Sequence, residues 1–294
     1  MARLDLGGAT AVVTGGSRGI GPHIAASLAE HGMRVALVAR TGHDLEAVAH
    51  ELRRAGHRVV VVAADVTSRA DRHALVETVE QELGPIDLLV NNAGGDPQRR
   101  FHNLTEDEIQ AVLALNLTSA IVLTRLVLPG MLARARGHIV NVSSMAGRTS
   151  FPHTEAYAAA KDGLIAFTRV LRSDYRGRGV SASALILGPV GGEGVGARTA
   201  EEFGLGLPRF IASPRTVAKA TIRAVAADKA EVAVMPGPGR TVRAVMDRFP
   251  GTGPALNRLT GAVTTMNTVA EQRERQARRA AATPTPDAGA PVRN

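Results

Sequence analysis

The chain of 294 residues is 45% hydrophobic and 21% charged and contains no cysteine, a balance that supplies a large core and excludes global disorder, a disulfide framework, a thiolate metal site and a catalytic thiol. Its formal net charge is +8, but the basic residues are scattered and only 3% of the chain is aromatic, so the charge alone is weak evidence for a polyanionic partner and no nucleic acid is expected. No apolar run approaches the ~18 residues of a membrane span and the first residues lack the apolar segment of a signal peptide, so the expected location is the cytoplasm.

Residues 9–14 form an apolar run that ends in a glycine cluster, and a helical pattern follows over 22–31. A second apolar run, 34–39, leads to Leu45, Val48, Ala49 and Leu52 at helical spacing. The run 59–64 is continuously apolar, as in a parallel strand buried on both faces. Helix 69–83, strand 86–90, helix 105–132, strand 138–143, helix 154–176 and strand 180–186 continue the alternation. The glycine-rich stretch 188–207 breaks it and is expected to be a lid or mobile loop bordering the substrate. Helix 214–228 and strand 231–235 resume the pattern. The fold class is therefore α/β: a Rossmann-like, doubly wound, seven-stranded parallel sheet with helices on both faces, followed by C-terminal amphipathic helices.

Three segments are expected: a catalytic domain over 1–240, a helical extension over 241–269 and a polar tail over 270–294, disordered from 280. The extension carries two apolar stripes, Val242, Val245, Met246 and Phe249, then Leu256, Leu259, Val263 and Met266. These suit packing on the parent domain or a sister subunit, a lid, or a membrane-surface contact.

Thr14-Gly15-Gly16-Ser17-Arg18-Gly19-Ile20-Gly21 lies between the first strand and first helix. Glycines there allow a tight turn and the close approach of a pyrophosphate to the helix N-terminus. Pro22 suits a first helical turn. The turn therefore points to a dinucleotide, held by Gly15, Ser17, Arg18, Gly19, Ile20 and Gly21. An acidic residue at the end of the second strand would favour NAD and repel the 2′-phosphate of NADP. Arg40 stands there instead, and with Arg18 it favours NADP (NADPH) over NAD.

Tyr157 and Lys161 are four residues apart, on one helical face. A neighbouring ammonium should lower the phenol pKa and fit it for acid/base work. Ser144 ends an apolar strand at the edge where ligands of parallel sheets bind, placed to donate to a substrate oxygen. No histidine array with metal-ligand spacing occurs, and no metal is expected.

Together, Thr14-Gly-x-x-x-Gly19-x-Gly21, Asp65-Val66, Asn91-Asn92-Ala93-Gly94, Asn116, Ser144 and Tyr157-x-x-x-Lys161 resemble the short-chain dehydrogenase/reductase superfamily over about residues 5–235. The resemblance implies that Asn116, Ser144, Tyr157 and Lys161 form a catalytic tetrad. It also implies that Asp65 and Val66 meet adenine, and that Asn92, Ala93 and Gly94 support the sheet and adenosine ribose. Tyr157 and Lys161 would contact the nicotinamide side of the cofactor as well. The family's Pro-Gly and later threonine are replaced by Leu187-Gly188-Pro189-Val190-Gly191-Gly192, which leaves Val190 as the cofactor contact and Gly192 where the threonine is expected.

The implied activity is hydride transfer between NADPH and a carbonyl or secondary alcohol in a small hydrophobic substrate, in a homo-oligomer (dimer or tetramer). Val190, Val195, Phe203, Leu205, Leu207, Phe210 and Ile211, with Phe151 and Pro152, are candidate pocket residues. Two other readings stay open: a non-catalytic dinucleotide-binding regulator acting through its C-terminal helices, and a basic nucleic-acid binder on the same fold.

Overall fold

Continuous runs of Val, Leu, Ile and Ala cannot leave one face in water, and seven of them assemble into one sheet. The strands are β1 (Thr10–Thr14), β2 (Arg34–Ala39), β3 (Val59–Ala63), β4 (Ile86–Asn91), β5 (Gly137–Ser144), β6 (Val180–Leu187) and β7 (Glu231–Val234). Their order is 3-2-1-4-5-6-7 and every pairing is parallel. The computed structural model describes residues 4–192, 195–205, 211–235, 245–246, 248–249 and 251–282.

Parallel neighbours require crossovers, and helices supply them on both faces. The first are α1 (Ile20–Glu30), α2 (Gly42–Arg54) and α3 (Arg69–Leu83). Side chains alternate along each strand, so Val13, Val35 and Leu88 pack with Ile24 and Leu28 of α1. On the other face Val12, Ala36 and Leu89 pack with Leu75 and Val79 of α3. The remaining elements are α4 (Glu106–Leu113), α5 (Ser119–Ala133), the short α6 (Ala146–Thr149), α7 (Glu155–Asp174), α8 (Val195–Glu202), α9 (Pro214–Ala226), α10 (Thr252–Leu259) and α11 (Ala262–Ala282).

Four features differ from the sequence-based expectation. The helix expected over 105–132 is interrupted by a π-helical turn at Ala114–Thr118, which spacing statistics cannot register because the apolar stripe continues through it. The same stretch, Glu106–Ala133, is long and apolar enough by composition to cross a membrane, contrary to the expectation of no such run. Its apolar face is taken up by the sheet, where Leu123, Val127 and Met131 are buried. The expected loop 188–207 contains α8, which is only eight residues long and follows a run of glycines, so that its short helical pattern does not stand out from the glycine-rich stretch. The polar segment from 270 continues α11 to Ala282. Its Ala, Arg, Glu and Gln residues are strong helix formers, and Val269, Ala270 and Glu274 are buried against the remainder of the chain.

Of the two C-terminal stripes, Met246 and Met266 are buried, whereas Val245, Phe249 and Leu259 are exposed. Val242 and the tail 283–294 lie outside the described residues.

Beneath the sheet, at the edge opposite the strands' carboxyl ends, polar groups join β5, β6 and the chain before β7. His138 Nε2 and Ser183 Oγ are 2.8 Å apart, and Ser183 Oγ donates to Lys229 O. Because Ser183 spends its proton on that carbonyl, His138 carries its own on Nε2 and is the donor. Arg172 donates to Asp228 Oδ1 and Ser181 Oγ, each at 2.6 Å. Burial pushes the His138 pKa down to about 4 against the opposing Asp228 charge. The unfolded chain therefore binds a proton between about pH 6.5 and 4 that the folded chain refuses, and stability falls as pH falls through that window. Urea unfolding should show a loss of about 3 kcal/mol from this group by pH 4. His138→Gln should flatten that part of the profile, and an unchanged slope would rule the ring out as its source.

Candidate active site

Between β1 and β4 the strand order reverses, and a crevice opens at the carboxyl edge of the sheet. The glycine turn fills one wall. Gly15 and Gly19 have φ of +66° and +70°, the left-handed region that side chains rarely adopt. A Cβ on Gly21 would lie 2.0 Å from Gly15 O, so only glycine lets α1 fold back over the turn. The Gly19 N-cap offers no side-chain bond and the first turn of α1 holds no acidic residue. Its N–H groups and positive dipole end therefore suit an anion, and this cradle fits the pyrophosphate of a dinucleotide.

The turn is stitched to the end of β4. Thr14 Oγ1 accepts from the backbone N–H groups of Asn92 and Ala93, both at 3.0 Å. Asn92 Nδ2 donates to Thr14 O at 2.9 Å and Gly15 O at 3.2 Å. Ser17 and Ile20 are half-buried in the turn, while Arg18 and Arg40 are exposed beside it. Val66 is buried. The Asp65 carboxyl is held below its ordinary range by the Thr67 hydroxyl and N–H, with a smaller contribution from the Arg40 charge.

The π turn carries Asn116, which is 1% exposed. Its Nδ2 donates to Gly95 O at 2.7 Å and Val112 O at 2.9 Å, and its Oδ1 accepts from Gly95 N at 3.2 Å. A Cβ on Gly94 would lie 2.8 Å from Asn116 Oδ1 and 3.2 Å from Lys161 Nζ. Gly94 thus keeps clear a small space that both side chains reach. Lys161 Nζ donates to Val142 O at 3.0 Å and stands 5.5 Å from the Tyr157 ring centre. Ser143 Oγ ties β5 to α7 through Lys161 O at 2.8 Å. Ser144, at the end of β5, accepts from Ala146 N at 3.1 Å and is hydrogen-bonded to the Tyr157 hydroxyl.

Asn116, Ser144, Tyr157 and Lys161 therefore converge, but the electrostatics differ from the sequence-based expectation. Burial pushes the Tyr157 phenol up to about 12; the Ser144 hydrogen bond opposes this and the Asp96 charge adds to it. Burial lowers Lys161 itself to about 8, and Nζ donates one of its three N–H groups to Val142 O. Asp96, absent from the expected site, sits in the loop after Gly95. Burial and the Glu155 charge raise its carboxyl to about 7 against a backbone hydrogen bond from Gln98. Its only sequence signal is its place just after Asn91-Asn92-Ala93-Gly94.

Val190 is buried and forms a parallel bridge with Ala212, through Gly191 N to Ala212 O and Ala212 N to Pro189 O, both at 2.9 Å. Its own N–H takes no part in that bridge. Gly192 has φ of +64°, so the family's threonine would be strained here. Phe151, Pro152, Phe203, Leu205 and Ile211 are half-buried near this end of the sheet. The Val195 side chain, Leu207 and Phe210 lie outside the described residues. Among those described, no group of histidine, aspartate and glutamate could hold a metal ion.

The parallel sheet, the glycine cradle and the polar cluster at its carboxyl edge define a dinucleotide-binding oxidoreductase class. The chain belongs to the short-chain dehydrogenase family, whose profile, described as short chain dehydrogenase, matches residues 9–202. It is similar to ketoacyl reductase HetN of a Nostoc species, 35% identical over 235 residues that cover 79% of this chain and 80% of that one. It is also similar to a metagenomic short-chain oxidoreductase solved in complex with NADP, at 34% identity and a TM-score of 0.68, covering 79% of this chain and 99% of that chain. A variant of actinorhodin polyketide ketoreductase solved with NADPH matches with a TM-score of 0.72 at 30% identity, covering 79% and 97% of the two chains.

Proposed function

We propose that the protein is an NADPH-dependent reductase of a ketone in a small, largely apolar substrate, with 3-ketoacyl compounds the favoured class. The observation that carries this reading is the chain of contacts from Asn116 and Lys161, which meet beside Gly94, through Lys161 to the Tyr157 ring and from the Tyr157 hydroxyl to Ser144. The two ketoreductase relatives support the substrate class. Arg18 and Arg40, exposed where an acidic residue would select NAD, support NADP.

The cradle of residues 15–21 would hold the pyrophosphate, Arg18 and Arg40 the 2′-phosphate, Asp65 and Val66 the adenine, and Val190 and Lys161 the nicotinamide half. When bound, the reduced nicotinamide supplies a hydride to the carbonyl carbon. Tyr157, protonated at neutral pH with its pKa raised to about 12, gives its proton to the carbonyl oxygen as negative charge develops there. Ser144 donates a hydrogen bond to the same oxygen. Lys161, with its pKa near 8, is charged at neutral pH and stands where it can return a proton to the phenol side of the site. Asn116 holds the Gly95 backbone and keeps the space beside Lys161 open.

Tyr157→Phe should lower the rate of NADPH-dependent ketone reduction by about a thousandfold, while NADPH affinity, followed by nucleotide fluorescence, stays within about twofold. Wild-type reduction rates in the variant would remove Tyr157 as the acid. A wild type that binds NADPH yet turns over no ketone in a broad panel would favour the regulator reading. Arg40→Asp should weaken NADPH and leave or improve NADH, shifting their affinity ratio by at least about tenfold; an unchanged ratio would contradict the NADP assignment.

Asp96 gives a pH signature. Its ionisation near pH 7 places a negative charge beside Tyr157, makes the phenol a weaker acid and slows reduction as pH rises. In Asp96→Asn that falling limb should move up to about 8, where Lys161 loses its proton. A limb that stays at 7 in the variant would exclude Asp96 as its origin.

A further inference from the structure

Helices α10 and α11 follow the family-matched segment, yet they bond to the rim of the site. In α10, Asn257 Nδ2 donates to Thr149 O at 3.1 Å and Ser150 O at 3.0 Å. A Cβ on Gly253 would stand 2.8 Å from the same Thr149 O, so the two backbones meet there. In α11, Asn267 Oδ1 lies 2.7 Å from His153 Nε2. These contacts hold the connection that runs from Ser144 to Tyr157.

Two further contacts of α11 reach the other sides of the site. Glu274 is 9% exposed. Its carboxylate accepts from Arg100 Nη1 and Asn103 Nδ2, both at 2.9 Å, and from Arg100 N at 3.3 Å. Arg100 Nη2 also donates to Glu271 at 2.9 Å. Burial alone would raise the Glu274 pKa, but hydrogen bonds from Asn103 and Arg100 outweigh it and hold the carboxyl below its ordinary range. This fixes the loop that carries Asp96. Arg273 donates to both oxygens of Glu202 in α8 at 2.8 Å, and its guanidinium lies 4.9 Å from the Phe203 ring centre. Gln276 adds a bond to Glu202 at 3.1 Å. Thr199 Oγ1 in turn donates to Gln98 Oε1 at 2.8 Å, joining α8 to the Asp96 loop.

Isolated surface ion pairs contribute little, because water screens them and both side chains lose freedom. Here the pairs form a closed circuit: α11 to the 95–103 loop, that loop to α8, and α8 back to α11. Breaking one link loosens both of the elements that it joined. None of these bonds involves the cradle 14–21, Arg40 or Asp65.

We propose that Glu274 and Arg273 are positioning residues that set the substrate side of the site by clamping the 95–103 loop and the α8 segment, so that the C-terminal helix governs substrate affinity and not cofactor affinity. This rests on the reductase reading above.

The test uses the full chain, ethyl acetoacetate as a 3-keto probe, NADPH binding, and hydrogen exchange over 98–103 and 199–205. Arg273→Glu and Glu274→Gln should each raise KM by about tenfold, with kcat and NADPH affinity within about threefold of wild type. Both should speed exchange in the two segments. The swap Arg273→Glu with Glu202→Arg should restore KM and slow exchange, which a merely destabilising change would not do. Unchanged KM in both single variants, a parallel loss of NADPH binding, or a swap without rescue would overturn the proposal. If wild type reduces neither this ester nor other ketones, the reductase reading fails; exchange then judges the clamp, and unchanged protection in the single variants overturns it.

Discussion

Reversal of strand order between β1 and β4 is the constraint on which the rest of the molecule depends. Because every strand runs the same way, every carboxyl end lies at one edge, and at the reversal two neighbouring connections leave in opposite directions. The gap would be a loose crevice if its walls were free. Thr14 and Asn92 close it from either side with four hydrogen bonds between the β1 and β4 corners. The glycine turn, the Asn92-Ala93-Gly94 corner and the floor beneath Asn116 are consequences of that closure.

Burial then sets the chemistry. Tyr157 and Lys161 are displaced in opposite directions by the same cause, since a low-dielectric site disfavours the charged form of both an acid and a base. The phenol holds its proton more firmly and the lysine holds its own less firmly, so burial separates two groups whose ordinary values lie close together. Asp96 joins this coupled set because the loop that holds it is anchored at one end by Asn116 and further along by Gln98 and Arg100. A pH-dependent charge thus reaches the phenol from a residue outside the Tyr157/Lys161 helix.

The C-terminal region shows how polar contacts can add to a partly buried apolar stripe in docking a helix. Leu259 and Phe249 of the expected stripes are exposed and Met246 and Met266 are buried, while Asn257, Asn267, Glu274 and Arg273 make the polar contacts with the parent domain. Hydrophobic periodicity could not identify these polar contacts, because charged and amide side chains also occur on any solvated helix.

Local chemistry was readable from residues alone. A glycine needed at positive φ, a tyrosine and lysine one helical turn apart, and seven apolar runs spaced by helical patterns each have one economical structural solution, and the strands and crossover helices lie where those patterns put them. The π turn that aims Asn116, the carboxyl of Asp96 beside Tyr157, α8 within a glycine-rich stretch and the continuation of α11 to Ala282 were decided only in three dimensions. Each depends on a partner distant in sequence: Asn116 on Gly95, Asp96 on Tyr157, α8 on Arg273, and α11 on Arg100 and Asn103. A window of neighbouring residues contains the propensity of an element but not the burial and charge that distant segments bring to it. The sequence therefore determined the sheet and its glycine cradle, and the tertiary structure decided how the site is closed and how its groups ionise.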